Sequence, residues 1–283
     1  MTKTKWYVGS LVVFILCGCQ NNSGEFAQKN SGSSIVGGTE VAYGDPLAKY
    51  VALIDNSATN STCTGTIISD SLILTAAHCV SKPANTITIA FGLSPISGAY
   101  DLRMASNVEI HTDYNKASTD DRSDLAMIRF TGGLPAGFQP IHLPSTTIST
   151  VEGMKFQALG YGRTSGKKPT SDSDTVGTGV LRSVELTVLS VNPNFAQFRV
   201  DQSNGQGICN GDSGGPAIIN YQNVDYVIGV ASAIVWTVPK ELSGDEKQNY
   251  IDQKDFCSEK SIYMNVGKFL PWINDASKKL MNQ

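Results

Sequence analysis

The sequence predicts an all-β domain that ends in a single helix, and three observations carry that prediction. Short apolar runs rich in Val, Ile and Thr recur from residue 35 onward, several of them alternating with period two. Gly (27 residues) and Pro (11 residues) punctuate the chain, as expected of a turn-rich β protein rather than a helical one. One late stretch, Lys268 to Met281, spaces Phe269, Leu270, Trp272, Ile273 and Leu280 like one face of a helix.

Taken in order, the strand candidates are Tyr50–Ile54, Gly65–Ile68, Thr86–Phe91 and Leu125–Phe130, then Lys155–Leu159, Val184–Leu189 and Tyr226–Val230. Many short strands separated by turn residues are the signature of a sandwich or barrel, and no repeat of 20 to 50 residues is visible. In the C-terminal helix Pro271 is expected in the first turn, where its missing N–H costs nothing. Residues 20 to 34, QNNSGEFAQKNSGSS, are polar and nearly free of aliphatics, so they cannot build a core and read as a tether. At 283 residues the chain suffices for one large domain or two small ones.

Composition removes several function classes. With 41% hydrophobic and 17% charged residues the chain is an ordinary folded protein, not a disordered one. A formal net charge of -3, with no Lys/Arg run, gives no phosphate-binding patch and argues against a nucleic-acid partner. At the N-terminus, Lys3 and Lys5 precede the apolar run Trp6–Leu16, which has signal-peptide length and is too short to span a bilayer. It ends in Leu16-Cys17-Gly18-Cys19, which resembles a bacterial lipoprotein signal and implies a lipid on Cys19. A plain secretory signal is the alternative. Four cysteines remain, Cys63, Cys79, Cys209 and Cys257; in an exported chain they suggest two disulfides, and three pairings are open.

Three short blocks carry the chemistry. His78 lies in Leu74-Thr75-Ala76-Ala77-His78-Cys79, Asp124 in Ser123-Asp124-Leu125-Ala126-Met127-Ile128, and Ser213 in Cys209-Asn210-Gly211-Asp212-Ser213-Gly214-Gly215-Pro216. A serine hydroxyl is a weak nucleophile until a base takes its proton, and an imidazole near neutral pKa can do so. A carboxylate must fix the tautomer of that imidazole and stabilise the imidazolium. Preorganised donors must meet the oxyanion, and glycines let the backbone approach a substrate. His111 and His142 lack such a setting. Asp120 and Asp121 sit in a polar stretch, whereas Asp124 directly precedes an apolar strand, where a carboxylate needs a partner. Gly211-x-Ser213-x-Gly215 also matches the nucleophile elbow of α/β-hydrolases, but that fold places its His after its Ser, and all three histidines here precede Ser213.

These blocks resemble the chymotrypsin/trypsin-like serine peptidases, and the resemblance runs from Ile35 nearly to the C-terminus. It includes Ile35-Val36-Gly37-Gly38, Gly160-Tyr161-Gly162 and Phe269-Leu270-Pro271-Trp272-Ile273. It implies two six-stranded antiparallel β-barrels (residues 35–145 and 146–267) and a C-terminal helix (268–283), behind a signal (1–18) and a tether or propeptide (19–34). It implies a triad of His78, Asp124 and Ser213, and an oxyanion hole made of the Gly211 and Ser213 amides. It pairs Cys63 with Cys79 and Cys209 with Cys257. Metal binding is the rival use of four cysteines, but none of the close pairs of a zinc site is present; no metal or other cofactor is expected.

The resemblance also implies activation by cleavage before Ile35, whose new ammonium would pair with Asp212. Ser34 stands where the family often has Arg or Lys, so a trypsin-like activator is not the expectation. Cleavage would part Cys19 from the domain, giving a membrane-held zymogen that releases its enzyme. For specificity, trypsin has an Asp six residues before the nucleophile; here the residue is Gly207, followed by Ile208. After Ser232 come Ala233 and Ile234 in place of the family's frequent Trp-Gly, and Ser261 is expected at the back of the pocket. The pattern is similar to elastases and implies cleavage after Ala or Val, with Thr or Leu next. Residues 235 to 256 read as an insertion.

The expected function is a secreted serine endopeptidase acting on protein or peptide substrates, as a monomer. It would have a protein inhibitor and an activating protease as further partners, and a membrane contact only through the lipid. The expected location is the bacterial outer membrane for the zymogen and the periplasm or exterior for the active form. Two alternatives stand beside it: a catalytically silent binding module of the same fold, and a processing peptidase of narrow specificity.

Overall fold

A computed structural model describes residues 35–283 apart from 96–97, 116, 119–121, 146, 169–176, 193 and 195. The signal, the tether, Cys19, Asp120 and Asp121 therefore lie outside the described residues.

The strands close into two six-stranded antiparallel barrels. The first has the order β2 (Val51–Asn56), β3 (Ser61–Ser69), β4 (Leu72–Thr75), β7 (Ala126–Phe130), β6 (Asp101–Ile110), β5 (Ile87–Phe91) and back to β2. The second runs β9 (Arg182–Asn192), β10 (Gln197–Asp201), β13 (Lys260–Asn265), β12 (Val224–Val235), β11 (Pro216–Tyr221) and β8 (Lys155–Gly160), and β8 pairs with β9 to close it. Closure leaves no long edge open to another chain. A two-residue strand, β1 (Thr39–Glu40), pairs with β9, so the start of the domain is fastened to the second barrel rather than the first.

Each barrel is filled by the inward side chains of its alternating strands. Ile54, Ile67, Ile73, Ile89, Phe91, Ile128 and Phe130 fill the first. Phe156, Phe198 and Tyr263 are central in the second, where Phe198 and Tyr263 stack at 5.1 Å and Phe156 meets both edge-on. A third apolar layer, with Leu53, Leu74, Met127, Tyr161, Val230 and Ile262, joins the barrels.

Helix α2 (Val266–Met281) covers that layer with Phe269, Ile273, Ala276 and Leu280, spaced at i, i+4, i+7 and i+11. It begins two residues before the apolar pattern suggests, because Val266 is itself buried and extends the helix directly from β13. Pro271 thus lies in the second turn, not the first, and removes one intrahelical bond. His111 packs against Phe269 and Trp272, with ring centroids 5.3 and 5.0 Å away, and His142 against Tyr226 at 5.8 Å. The insertion after β12 carries a short surface helix, α1 (Gly244–Gln253), with no buried residue. No helix among the described residues is long and apolar enough to cross a membrane.

Candidate active site

The first barrel brings His78 and Asp124 together, one after β4 and the other before its neighbour β7. β4 ends at Thr75, and the single helical turn Ala77–Cys79 that follows carries His78. The Cys63–Cys79 disulfide fastens that turn to β3, and the Asn56 side-chain amide donates to the Cys79 carbonyl at 3.2 Å. Asp124 precedes β7, the strand paired with β4. Ser123 before it has φ 43°, a left-handed conformation that a non-glycine residue seldom adopts. That turn sends the Asp124 carboxylate inward, where it is fully buried.

Asp124 is held by three donors. Its Oδ2 lies 2.8 Å from Nδ1 of His78 and accepts the Ser232 hydroxyl at 2.6 Å, while Oδ1 accepts the His78 backbone N–H at 3.0 Å. Burial by itself pushes the carboxyl pKa up; the bonds and charge of His78, with the Ser232 bond, outweigh it and hold the group below the usual carboxylate range. Arg122 adds a cation 3.7 Å from the same oxygen. Asp124 therefore stays ionised and fixes the imidazole through its Nδ1.

The second barrel brings Ser213 on the loop between Cys209 and β11. The loop folds back through Asp212 N–H to Cys209 C=O (3.0 Å) and Gly215 N–H to Asp212 C=O (2.9 Å). Gly211 and Gly214 have φ of 98° and 83°, which L side chains rarely tolerate. At Gly214 a Cβ would lie 2.0 Å from Oγ1 of Thr75 and 2.3 Å from the Thr64 carbonyl, so glycine alone admits the first barrel here. Thr64 docks the two halves: its N–H donates to the Ser213 carbonyl (2.8 Å), its hydroxyl to the Gly211 carbonyl (2.8 Å), and that hydroxyl accepts the Tyr161 N–H (3.1 Å).

His78 and Ser213 share one cleft of about 370 Å³. Of the expected substrate-binding residues, Ile208, Ser232 and Ile234 line it, whereas Gly207 and Ser261 do not. Ser261 is fully buried beneath the surface, and its hydroxyl has no hydrogen-bond partner among the described residues. The cleft also takes Arg122, Trp236 and Phe256, which sequence reasoning missed. The last two lie at the two ends of the insertion. The only signal for them was two aromatics at the ends of a polar segment. Among the described residues, no acidic side chain lines the cleft.

The segment from Ile35 is already seated in the second barrel. Ile35 is fully buried with φ 47°, Val36 bridges Gly207, and Gly207 N–H donates to the Val36 carbonyl at 2.9 Å. Asp212 is also fully buried; it accepts the Cys209 and Gly162 N–H groups at 2.8 Å each. Burial pushes its pKa up to about 7 despite those two bonds and the pull of Arg182. Gly160-Tyr161-Gly162 exists to house it: a Cβ on either glycine would lie 2.2 or 2.5 Å from the Asp212 carboxylate.

The two expected disulfides are formed, Cys63–Cys79 and Cys209–Cys257. Cys63, His78 and Cys79 cluster closely enough to suggest a metal site, but the two sulfurs are bonded to each other and offer no thiolate.

The trypsin family model matches residues 35–273. Serine protease SP24D of Anopheles gambiae is 26% identical over 257 residues, covering 88% of this chain and 83% of that protein. Brachyurin of Leptuca pugilator is 29% identical over 213 residues (69% and 84%), and glucanase inhibitor protein 4 of Phytophthora infestans is 30% identical over 188 residues (61% and 69%). Matched by that family over most of its length, and folded as two closed barrels, the chain belongs to the trypsin family of serine peptidases.

Proposed function

We propose that this chain is an exported serine endopeptidase that cleaves after small aliphatic residues, with His78, Asp124 and Ser213 as its triad. The observation that supports it most is that His78, doubly held by the buried Asp124, lines one cleft with Ser213. His78 Nε2 takes the hydroxyl proton as the Ser213 Oγ attacks the scissile carbonyl. The oxygen of that carbonyl gains charge facing the Gly211 and Ser213 N–H groups, and loss of one such donor costs about 10²- to 10³-fold. The imidazolium, stabilised by Asp124, gives its proton to the leaving amine and an acyl-enzyme remains. Water, activated by the same imidazole, then attacks the ester carbon and frees Ser213.

Cleavage before Ile35 activates the chain on this reading. A β-branched residue seldom adopts a φ such as the 47° of Ile35. A new N-terminus has no preceding peptide to fix φ, so cutting there would relax that conformation. The ammonium formed would also give Asp212 the counter-charge that its burial calls for. Before the cut, a lipid on Cys19 holds the zymogen on the outer membrane; afterwards the enzyme is free. Lipid found on an uncut, active chain would refute that step.

The decisive experiment is hydrolysis of peptides varied at the residue before the scissile bond, by the processed protein and by Ser213→Ala. The expected result is cleavage after Ala or Val that Ser213→Ala abolishes. Cleavage after Lys or Arg would keep the triad and reject the small neutral pocket. A second reading, a catalytically silent binding module, draws on the relative whose name is glucanase inhibitor. It predicts no covalent labelling of Ser213 by a fluorophosphonate.

A further inference from the structure

The cleft floor rests on a side chain that no motif marks. Gln202 follows β10, is fully buried, and lies behind the wall that Ile208 and Phe256 present to the cleft. Its amide nitrogen donates to the Ile208 carbonyl (3.0 Å) and the Cys257 carbonyl (2.6 Å), and its amide oxygen accepts the Ile208 N–H (2.9 Å). Both N–H groups and the carbonyl are thus used. The two segments joined by the Cys209–Cys257 disulfide are stitched a second time, from below.

The same amide explains Gly207. A Cβ there would lie 2.1 Å from the Gln202 amide carbon and 2.5 Å from its nitrogen. Gln202 therefore occupies the volume into which any side chain at position 207 would project. Below Ile208 lies a saturated, neutral amide. A cationic substrate side chain finds no counter-charge on that amide, and a long one must displace it; entering would break three buried hydrogen bonds.

Resting on the peptidase reading, we propose that Gln202 is the residue that sets the depth and neutrality of the primary specificity pocket, restricting it to small uncharged side chains. Removing the amide opens the floor; replacing it with an apolar chain of equal length keeps the floor closed. Wild type, Gln202→Ala and Gln202→Met, each exported and processed, would be compared by two readouts. The first is kcat/KM on matched peptide anilides ending in Ala, Val, Leu or Phe, with active sites counted by a fluorophosphonate. The second is phenol binding, followed at the Gly207 and Ile208 amides by NMR, which needs no catalysis.

In Gln202→Ala the Phe-to-Ala ratio should rise by about 10- to 200-fold, the range that a change of pocket size commands, and phenol should bind. Gln202→Met should keep the wild-type ratio and bind no phenol. An unchanged ratio in folded Gln202→Ala, or phenol shifts at Gly207 and Ile208 in wild type, would overturn the proposal. Should Gln202→Ala not fold, the wild-type titration alone decides: no phenol binding supports a closed floor and binding rejects it. An unlabelled wild type would instead overturn the peptidase reading, and the phenol titration would still judge Gln202.

Discussion

Asp124 grips His78 at two points, with Oδ2 2.8 Å from the ring Nδ1 and Oδ1 accepting the backbone N–H at 3.0 Å. The two contacts fix both the rotation of the ring and the position of its Cα. An amide at 124 would offer an N–H where an acceptor is needed and would favour the wrong tautomer. In the family's reference triad that change lowers kcat about 10⁴-fold, and that established size is the expectation for Asp124→Asn. Steady-state kinetics with unchanged melting temperature would check it.

Ser232 should matter through the same carboxylate. Its hydroxyl donates to Asp124 Oδ2 at 2.6 Å in a buried site. A hydrogen bond to a buried charge is worth about 1.5–3 kcal/mol, so Ser232→Ala should lower kcat by about 10- to 100-fold. Because Ser232 also lines the cleft, KM on a short substrate must be followed alongside. A change in KM alone would mean that the hydroxyl serves substrate binding and not the carboxylate.

The three sequence blocks were legible because each packs its candidate chemistry into six to eight consecutive residues whose local turns do the positioning. Glycines at 211 and 214 read as points of close backbone approach; the structure adds that both have positive φ. Both barrels followed from resemblance; the runs alone pointed only to a sandwich or barrel. β6 was hidden because its face is largely exposed, so Asp101–Ile110 lacks clean alternation. Thr64 and Gln202 act through bonds to residues 147 positions away and up to 55 positions away, respectively, and no spacing rule reaches that far. Trp236 and Phe256 enter the cleft from the two ends of an insertion whose path only the folded chain reveals.

Asp212 should make the uncut chain lose stability as pH rises. Its folded pKa of about 7 stands above the ordinary 3.8, so between those values the folded state binds more protons than the unfolded one. The stability contributed by this group is then greatest below about pH 4, falls through pH 4 to 7, and levels off above. The fall from this one group is on the order of 4 kcal/mol at most, at about 1.4 kcal/mol per pH unit. Urea titrations of Ser213→Ala, kept uncut, at pH 5 and pH 7.5 should show it, and Asp212→Asn in that background should flatten it. Equal stability at both pH values before Asp212 is changed would contradict the raised pKa.

The two disulfides should differ in what their loss does. Cys63–Cys79 closes 16 residues and Cys209–Cys257 closes 48. Loop-closure entropy makes these worth about 3 and about 4 kcal/mol respectively. The first fastens the turn of His78 to β3, so Cys63→Ser with Cys79→Ser should lower kcat on every substrate alike, with stability falling by the smaller amount. The second borders the cleft, but Gln202 stitches the same two segments through Ile208 and Cys257. Cys209→Ser with Cys257→Ser should therefore cost more stability yet keep the preference for small residues at temperatures where the protein is folded. Thermal melts paired with the anilide series would test both claims. A broadened preference in this second variant would show that the disulfide, not the Gln202 amide, holds the floor in place.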